Sequence, residues 1–583
     1  MLVTHKSIPI NFSDHASLHD MEKLNSMGEL YVRLALPYVP RILHLLDQNP
    51  YSLNYGCFDR AFWHYRTMDF PCGMSQEMVL LLALVYKNSY PGNSFHGISR
   101  IRELSEAAIR FLVKSSHNDG TCDDYFPFER AMGALVFSLY AASESYLVLD
   151  MEDQQIADFF LKRVRHLECE NETGKLGNHQ ALAALAAYNV YLITNDECCR
   201  KTAEERLELT LSWQNKSEGW IQEYEGADPG YHSCSIDFLA KLRKKKILKE
   251  GKDSEELKNS LLKAVEFAWY FMHPDGSYGG EYGSRNTFHF YPHGFELMAP
   301  ESEKAGQVAD AFLKGITQGK RYRNDDDRMT THYAYDYLQA WEDRIPERPP
   351  SINECRLNPE TIWLKDCGLI ISRNGGENKE HGERYTIANL HKGGVIKVFD
   401  EQGPIASDTG LIGELTDGTV VVSHLVQNEN KMDGEIDDLL NAKWSVQGVL
   451  CKRRKNLMSV FKNLLLRFWC LTIGRFNANL TRSIVQKIAI TGKPKTQFIF
   501  ERIIELLPDK VRVTDYLEPS TPFKRLGVGS DATSIYVANS LTYQESRLCP
   551  WQHANWQSLP IVNGKKVWSR EYFRGSKHSP YDS

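Results

Sequence analysis

The segment "RIPERPPS", residues 344–351, separates two parts of the chain that differ in hydrophobic pattern. Pro346, Pro349 and Pro350 place three prolines within five residues. Proline cannot continue a helix, because it lacks an amide hydrogen and its ring clashes with the preceding turn. The segment therefore predicts a domain boundary, with one domain at residues 1–345 and a second at residues 352–583.

The part before this boundary has the pattern of consecutive helices. Apolar residues recur every three or four positions, as in residues 76–88, 98–115, 129–149 and 256–272. Several of these segments are apolar on more than one face, so each must pack against neighbours on both sides. About a dozen such segments, joined by loops rich in Gly, Asp, Asn and Pro, predict an α/α toroid or solenoid.

The part after the boundary has the pattern of short strands. Stretches such as "RYTIANLHKGGVIKVFD" (384–400) and "GTVVVSHLVQ" (418–427) are rich in β-branched residues, often alternate, and are separated by Gly, Asp and Asn turns. This pattern predicts an antiparallel β-sandwich. The fold class expected from the sequence is therefore a multidomain chain, α and then β.

Composition and charge exclude some classes of protein. The net charge of -6 over 583 residues argues against a general nucleic-acid binder, which would carry a strong basic excess. The 12 cysteines are scattered, which predicts free thiols in a reducing compartment. The N-terminal residues lack a basic start followed by an apolar run, so we expect a cytoplasmic protein, with a periplasmic one as the alternative. The oligomeric state stays open.

One segment of the β part, residues 451–475, is both basic and apolar. It fits a strand pair or a covering helix whose basic edge is solvated. It also fits a surface that lies peripherally on an anionic membrane. The sequence leaves both interpretations open.

Polar residues suited to sugar chemistry gather in loops of the helical part. Asn178 and His179 precede an apolar helix, and three further segments, 123–133, 219–238 and 276–296, are rich in Gly, Tyr, His, Arg and acids. Loops at one rim of a toroid converge, so we expect them to line a shared cleft. The candidate substrate-binding residues are Arg130, Glu223, His232, Tyr282, Arg285, Asn286, His289 and His293.

With these loops and this domain order, the chain resembles the heparinase II/III and alginate-lyase group of polysaccharide lyases. Members of that group have an incomplete α/α toroid followed by an antiparallel β-sandwich. An Asn-His pair opens one toroid helix, and a catalytic Tyr follows roughly fifty residues later in a loop rich in Gly and acids. Here Asn178 and His179 match the pair, and Tyr231 follows 52 residues after His179. The segment 385–410, with His391 at its turn, has the outline of the group's first β-hairpin.

The resemblance implies β-elimination at a uronic acid in an acidic polysaccharide. The proton removed is α to a carboxylate, so negative charge builds on that group and must be stabilised by donors such as Asn178, Arg130 or Arg285. The resemblance implies that Tyr231 is the acid, and often the base, with His179 assisting and His391 nearby. Taken locally, Asn178 also suits a helix N-cap, and Tyr231 suits a ring that holds a loop in place.

The chain departs from this group in one motif. After Leu390 the sequence reads His-Lys-Gly-Gly, where the group has a metal-associated His-x-His-x-Asp, so we expect no structural zinc and no cofactor. His289 and His293 have the spacing of a metal pair, but Pro292 lies between them and no third ligand is evident.

Three other functions remain open at this point. A uronosyl C5-epimerase needs the same proton abstraction. A glycan-binding scaffold would keep the cleft and lack the chemistry. An inverting glycoside hydrolase needs two opposed carboxylates, for which the sequence offers Asp123, Asp124, Glu223 and Glu225.

Overall fold

We describe a computed structural model of the chain. The residues that it describes are 27–170, 174–248, 251–319, 321–322, 330–356, 358–374, 383–400, 403–427, 430–436, 441–453, 459–488, 492–530 and 543–573.

Helices dominate the chain up to Asp343. In chain order they are α1 (Glu29–Ala35), α2 (Tyr38–Leu45), α3 (Arg60–Trp63), α4 (Val79–Lys87), α5 (Ser99–Ser115), α6 (Met132–Val148), α7 (Gln154–Cys169), α8 (Gly177–Thr194), α9 (Glu197–Ser212), α10 (Pro229–Lys244), α11 (Lys252–Trp269), α12 (His293–Met298), α13 (Glu303–Thr317) and α14 (Thr330–Asp343).

Six of these helices form an inner ring. In the order α4, α6, α8, α10, α12, α14 and back to α4, each contacts the next. The segments 79–85 and 181–187 within the ring are buried on every side, as expected for helices covered by neighbours all round. The other long helices, such as α5 and α7, keep polar outer faces. The predicted α/α toroid is confirmed.

Strands dominate the chain from Glu360 onward. Two small two-stranded sheets are separate from the main ones. In the first, β1 (Gln222–Glu223) pairs with β2 (Gly226–Ala227), and in the second, β3 (Arg321–Tyr322) pairs with β16 (Tyr543–Gln544). A five-stranded antiparallel sheet has the order β4 (Glu360–Leu364), β5 (Leu369–Asn374), β6 (Arg384–Asn389), β7 (Val395–Asp400), β8 (Gly403–Asp408).

A larger antiparallel sheet of ten strands packs against the first. Its order is β17 (Gln552–Ala554), β15 (Phe523–Val528), β9 (Leu411–Leu415), β10 (Val420–Val422), β12 (Ala442–Lys452), β13 (Lys495–Leu506), β14 (Val511–Leu517), β19 (Lys565–Tyr572), β18 (Ile561–Val562), and β11 (Lys431–Ile436) also pairs with β12.

The five-stranded sheet is buried on both faces. Side chains of a strand alternate between the two faces of its sheet. Accordingly, Ile370 joins the core shared with Trp444 of the large sheet, whereas Ile371 joins the core of the toroid. The predicted antiparallel sandwich is confirmed, and one of its layers also forms the wall against the helical part.

A short linker joins the two parts. Helix α14 ends at Asp343, the four-residue helix α15 (Ile352–Cys355) follows, and β4 begins at Glu360. Arg348 from the proline-rich segment forms an ion pair with Glu296 of the toroid at 2.8 Å, which anchors the segment to the helices. The domain limits of 345 and 352 stay a prediction.

Loop 276–291 lies between the toroid and the small sheet. Asn389 of β6 donates a hydrogen bond to the Tyr282 carbonyl at 2.6 Å, and Lys397 of β7 forms an ion pair with Glu281 at 2.7 Å. The sandwich therefore fixes the loop that carries half of the predicted substrate-binding residues. None of the helices in the described part of the chain combines the length and apolar content needed to cross a bilayer.

Candidate active site

Glu223 is the centre of a buried polar cluster at the junction of α8, α10 and loop 276–291. Its Oε1 accepts hydrogen bonds from the Asn178 backbone N–H at 2.8 Å and from the Asn178 side-chain Nδ2 at 2.7 Å. Its Oε2 pairs with Nη1 of Arg285 at 3.0 Å. The start of α8 is thereby tied to the loop of Arg285 through one carboxylate.

Asn178 therefore has a different role from the N-cap that local sequence suggests. The N-cap position of α8 is Leu176, and the Asn178 side chain reaches across to Glu223 instead. The Asn178 Oδ1 atom is buried and has no hydrogen-bond partner within the described residues. His179, next to it, is half-buried, with its ring against Phe137.

Arg285 covers the ring of Tyr231. The guanidinium carbon lies 3.8 Å from the centre of the Tyr231 ring and 4.8 Å from that of Tyr224, both within the range of a cation–π contact. Tyr231 is 6% exposed and Arg285 8% exposed, so these groups meet largely away from water. Asn178, Glu223, Arg285 and Tyr231 are thus brought together.

Asp228 positions both Tyr231 and Arg285. As the N-cap of α10, its Oδ1 accepts a hydrogen bond from the Tyr231 backbone N–H at 3.1 Å, and Pro229 follows at the first helical position. Its Oδ2 accepts from the Arg285 backbone N–H at 2.9 Å. One carboxylate therefore sets the helix start and the loop that crosses it. The sequence Asp-Pro-Gly at 228–230 was a signal for this cap.

His289 lies on the other side of Tyr231. The two ring centres are 4.8 Å apart in an edge-on arrangement. The His289 Nδ1 atom is hydrogen-bonded to the Tyr333 hydroxyl of α14 and lies 3.3 Å from the Tyr291 hydroxyl. His289 thus belongs to the cluster, and its ring orientation is set by tyrosines that the sequence did not single out.

Burial is the largest single influence on the pKa values of the cluster. It raises the pKa of Tyr231 well above its usual range, although Arg285 opposes the shift. It also raises the pKa of Glu223, against the lowering effects of Arg285 and Asn178. For Arg285, burial lowers the pKa, but Tyr231 and Glu223 outweigh it and leave the pKa above its usual value. At neutral pH Tyr231 is therefore a neutral phenol beside a guanidinium cation.

Lys392 is a member of the site that the sequence reasoning missed. Its buried ammonium donates to the Gly283 carbonyl at 2.8 Å, and also to the Glu281 carbonyl and the Asn286 side chain. Burial lowers its pKa to about 7. The sequence feature that could have identified Lys392 is its position directly after His391, in the turn between β6 and β7.

His391 itself lies elsewhere, which corrects its assignment to the catalytic group. Its ring packs against Gly368 and lies near Glu218 and Asp366, and burial lowers its pKa. In a tight turn, successive side chains point in different directions. The turn therefore brings Lys392, and not His391, to the loop of Arg285 and Asn286.

Four predicted substrate-binding residues have other surroundings. The fully buried His232 bonds to the Ala264 carbonyl at 2.9 Å, and burial lowers its pKa to about 4. Tyr282 bonds to His273 at 2.8 Å within the core. Arg130 pairs with Asp119 at 2.6 Å at the toroid rim, and His293 pairs with Asp343 at 2.7 Å. For His232 and Tyr282 in particular, the contacts are those of core residues, which corrects their assignment.

Asp237, His293 and Asp336 form a buried cluster with the composition of a metal site. Their ligand atoms lie within 4.8 Å of one another. The Lys241 ammonium lies 2.6 Å from Asp237 and 3.5 Å from Asp336, so it supplies the positive charge that a metal ion would supply to these carboxylates. His289 takes no part in the cluster, so the His289–His293 spacing does not correspond to a shared site.

Comparison with solved structures identifies the architecture. The Paenibacillus xanthan lyase matches with a TM-score of 0.51 and 9% sequence identity, over 86% of this chain and 46% of that chain. The Streptomyces coelicolor A3 chondroitin AC lyase matches with a TM-score of 0.51 and 10% identity, over 90% of this chain and 69% of that chain. The fold is that of the toroid polysaccharide lyases.

A third match to a toroid polysaccharide lyase is the heparan sulfate lyase HepC from Pedobacter heparinus, with a TM-score of 0.38 and 9% identity, over 78% of this chain and 63% of that chain. The chain spans less than half of the length of the xanthan lyase structure. No family model and no curated protein matches the sequence. The resemblance to polysaccharide lyases is thus confirmed at the level of the fold.

Within this lyase fold, the neighbours Lys392 and His391 allow a matched comparison. We expect Lys392→Met to lower turnover by at least about tenfold, because three acceptors in the loop of Arg285 and Asn286 lose their donor and the loop shifts. His391→Ala should leave turnover within about twofold of wild type. Steady-state kinetics of both variants on a cleaved substrate would decide, and the reverse order of effects would contradict the placement.

Proposed function

We propose that the protein is a polysaccharide lyase that cleaves a uronic-acid-containing acidic polysaccharide by β-elimination. The observation that carries this proposal is the buried Tyr231 beneath the Arg285 guanidinium, tied through Glu223 to the Asn178–His179 start of α8. The Streptomyces chondroitin AC lyase, which shares this fold, was solved in complex with chondroitin sulphate. An acidic glycan is therefore the substrate class to test.

The reaction breaks the C5–H and C4–O4 bonds of the uronate and forms a C4=C5 double bond. A base takes the C5 proton, and an acid protonates O4 as it leaves, so no water is consumed. Tyr231 suits the acid, because its raised pKa keeps the phenol protonated at neutral pH. We assign the base to His179, which directly follows Asn178 at the start of α8, beside the Glu223 cluster.

Charge on the uronate carboxylate grows as the C5 proton leaves, and a fixed donor must stabilise it. Arg285 suits this role better than Asn178. Glu223 already engages the Asn178 backbone N–H and one hydrogen of its side-chain amide, whereas the cationic Arg285 has a buried Nε without a hydrogen-bond partner among the described residues. Glu223 then acts as a positioning residue that holds Arg285 over Tyr231.

The hydrolase alternative fits less well. An inverting hydrolase needs one carboxylic acid and one free carboxylate that activates water. Each candidate carboxylate already has a side-chain partner: Asp123 has His117, Asp124 has Cys72, Glu223 has Arg285 and Glu225 has Lys493.

Purified protein should convert at least one uronate-containing polysaccharide into a product with a 4,5-unsaturated uronate. Incubation with a panel of such polysaccharides, followed by ultraviolet absorbance of the conjugated double bond, is the direct measurement. Arg285→Met serves as the inactive control.

The epimerase alternative is tested with the same panel. Solvent deuterium that enters C5 without any rise in absorbance would favour the epimerase. Absence of both signals across the panel would overturn the proposal of proton abstraction.

A further inference from the structure

A helical insertion, residues 459–488, interrupts the large sheet between β12 and β13. It contains α16 (Val460–Leu471), a short 3-10 turn (Gly474–Phe476) and α17 (Ala478–Gln486). Its inner side lies on the toroid. Arg467 pairs with Asp69, and Arg482 donates to the Arg130 carbonyl at 2.6 Å. The insertion is therefore a fixed part of the molecule with one side left to the outside.

The outer side of the insertion is apolar. On α16 the exposed apolar residues lie at positions i, i+1, i+4, i+5, i+8 and i+11, which is one helical face. They are large side chains with exposures of 52–80%: Val460, Phe461, Leu464, Leu465, Phe468 and Leu471. Ile473 and Phe476, at 55% and 84%, continue this surface, and Leu480, Ile484 and Ile488 extend it along and just beyond α17.

Such a surface is unusual for a solvated helix. Amphipathic helices of globular proteins turn the apolar face inward, and contiguous exposed apolar patches mark interaction sites. Here the inward side carries Arg467 and Arg482, which contact Asp69 and Arg130 of the toroid, and the apolar side faces out. The apolar face is thus left without an apolar cover by the described part of the chain.

The charges carried by the insertion and its flanking residues are all of one sign. Residues 439–500 contain twelve Lys and Arg and no Asp or Glu, in a chain whose net charge is -6. Lys452, Arg453, Lys462 and Lys487 are exposed among them. Arg454 and Lys455 fall outside the described residues. An apolar face bordered by cations complements acyl chains below a layer of anionic headgroups.

We propose that the insertion docks the protein on an anionic lipid bilayer, with α16 and α17 lying in the membrane interface. A second copy of this chain is a poorer occupant, because two facing surfaces would each bring the same basic segment and repel each other. The proposal is independent of the lyase assignment. It places the toroid rim beside the membrane, since Gln486 approaches Gly174, which packs on Tyr224 of the site.

Flotation with vesicles tests the proposal directly. Full-length protein should float with vesicles of phosphatidylcholine containing anionic phosphatidylglycerol, more weakly with phosphatidylcholine alone, and less at high salt. For the triple variant Phe461→Ser/Leu464→Ser/Phe468→Ser, the amount of protein that floats with the vesicles should fall by about tenfold or more. The triple variant Lys452→Ser/Arg453→Ser/Lys487→Ser should bind anionic vesicles more weakly and lose the salt dependence.

The matched control is Ile561→Ser/Val562→Ser, an exposed apolar pair on β18 that should float as wild type does. Thermal melts should show that the apolar-face variant folds, because the substituted side chains are exposed. Failure of the wild type to float, or equal recovery of the apolar-face variant, would overturn the proposal. So would sedimentation showing a dimer that the apolar-face variant converts to a monomer, since the face would then bind a second copy.

Discussion

Tyr231→Phe should lower the rate of elimination by about 10²–10⁴-fold, the usual contribution of a general acid or base. The change removes one hydroxyl and leaves the ring under Arg285, so the folded structure should persist. The measurement is the rise in ultraviolet absorbance on a substrate that the wild type cleaves, together with a thermal melt of both proteins.

The matched control for this variant is Tyr188→Phe. Tyr188 lies in α8, well away from the start of that helix, and its hydroxyl bonds to the Lys246 carbonyl at 3.2 Å. Its loss should leave turnover unchanged. A Tyr231→Phe enzyme with near-normal turnover and an unchanged melt would refute the role of Tyr231 in proton transfer, whatever the substrate.

Arg285→Met is expected to have the second large effect, on both stability and turnover. The substitution leaves the fully buried Glu223 without its charged partner, and breaking a buried ion pair in this way costs about 3–5 kcal/mol. Turnover should fall by about 10²–10³-fold, because a fixed donor to the developing charge is lost. Unfolding midpoints and initial rates measure the two effects.

The double variant Arg285→Met/Glu223→Gln separates the two roles of Arg285. With both charges removed, the introduced glutamine keeps an acceptor for the Asn178 donors, so we expect most of the stability to return. Turnover should stay low, since the cation over Tyr231 is still missing. Recovery of turnover together with stability would show that Arg285 is only structural, and the assignment of carboxylate binding would move to another residue.

The fold could be predicted from the sequence because it depends on the periodicity of apolar residues along the chain. The stretches 79–85 of α4 and 181–187 of α8 are buried on all sides, and their sequences are apolar all round. Strands of the large sheet such as β13 alternate because only one of their faces is buried, whereas strands of the small sheet are apolar on both faces, as Ile370 and Ile371 show. Prolines at 346, 349 and 350 exclude a continuing helix whatever surrounds them. These are local properties of a few neighbouring residues.

The candidate site was accessible only in part. Glu223, Arg285 and His289 were identified from residue type and loop composition, and Asn178 and Tyr231 from the resemblance to the lyase group. The structure brings these five residues together. The sequence could not predict which of these residues contact one another, because Glu223 and Arg285 are 62 residues apart in the chain. The same holds for Tyr333, which reaches His289 from α14.

The sequence by itself thus determined the order of the helical and β parts and the residue types available for chemistry. Only the tertiary structure decided that Lys392 and not His391 reaches the site, that His232 and Tyr282 belong to the core, and that the apolar face of α16 points outward. The physical reason is that periodicity shows which residues share a face, whereas packing between distant segments decides what that face meets.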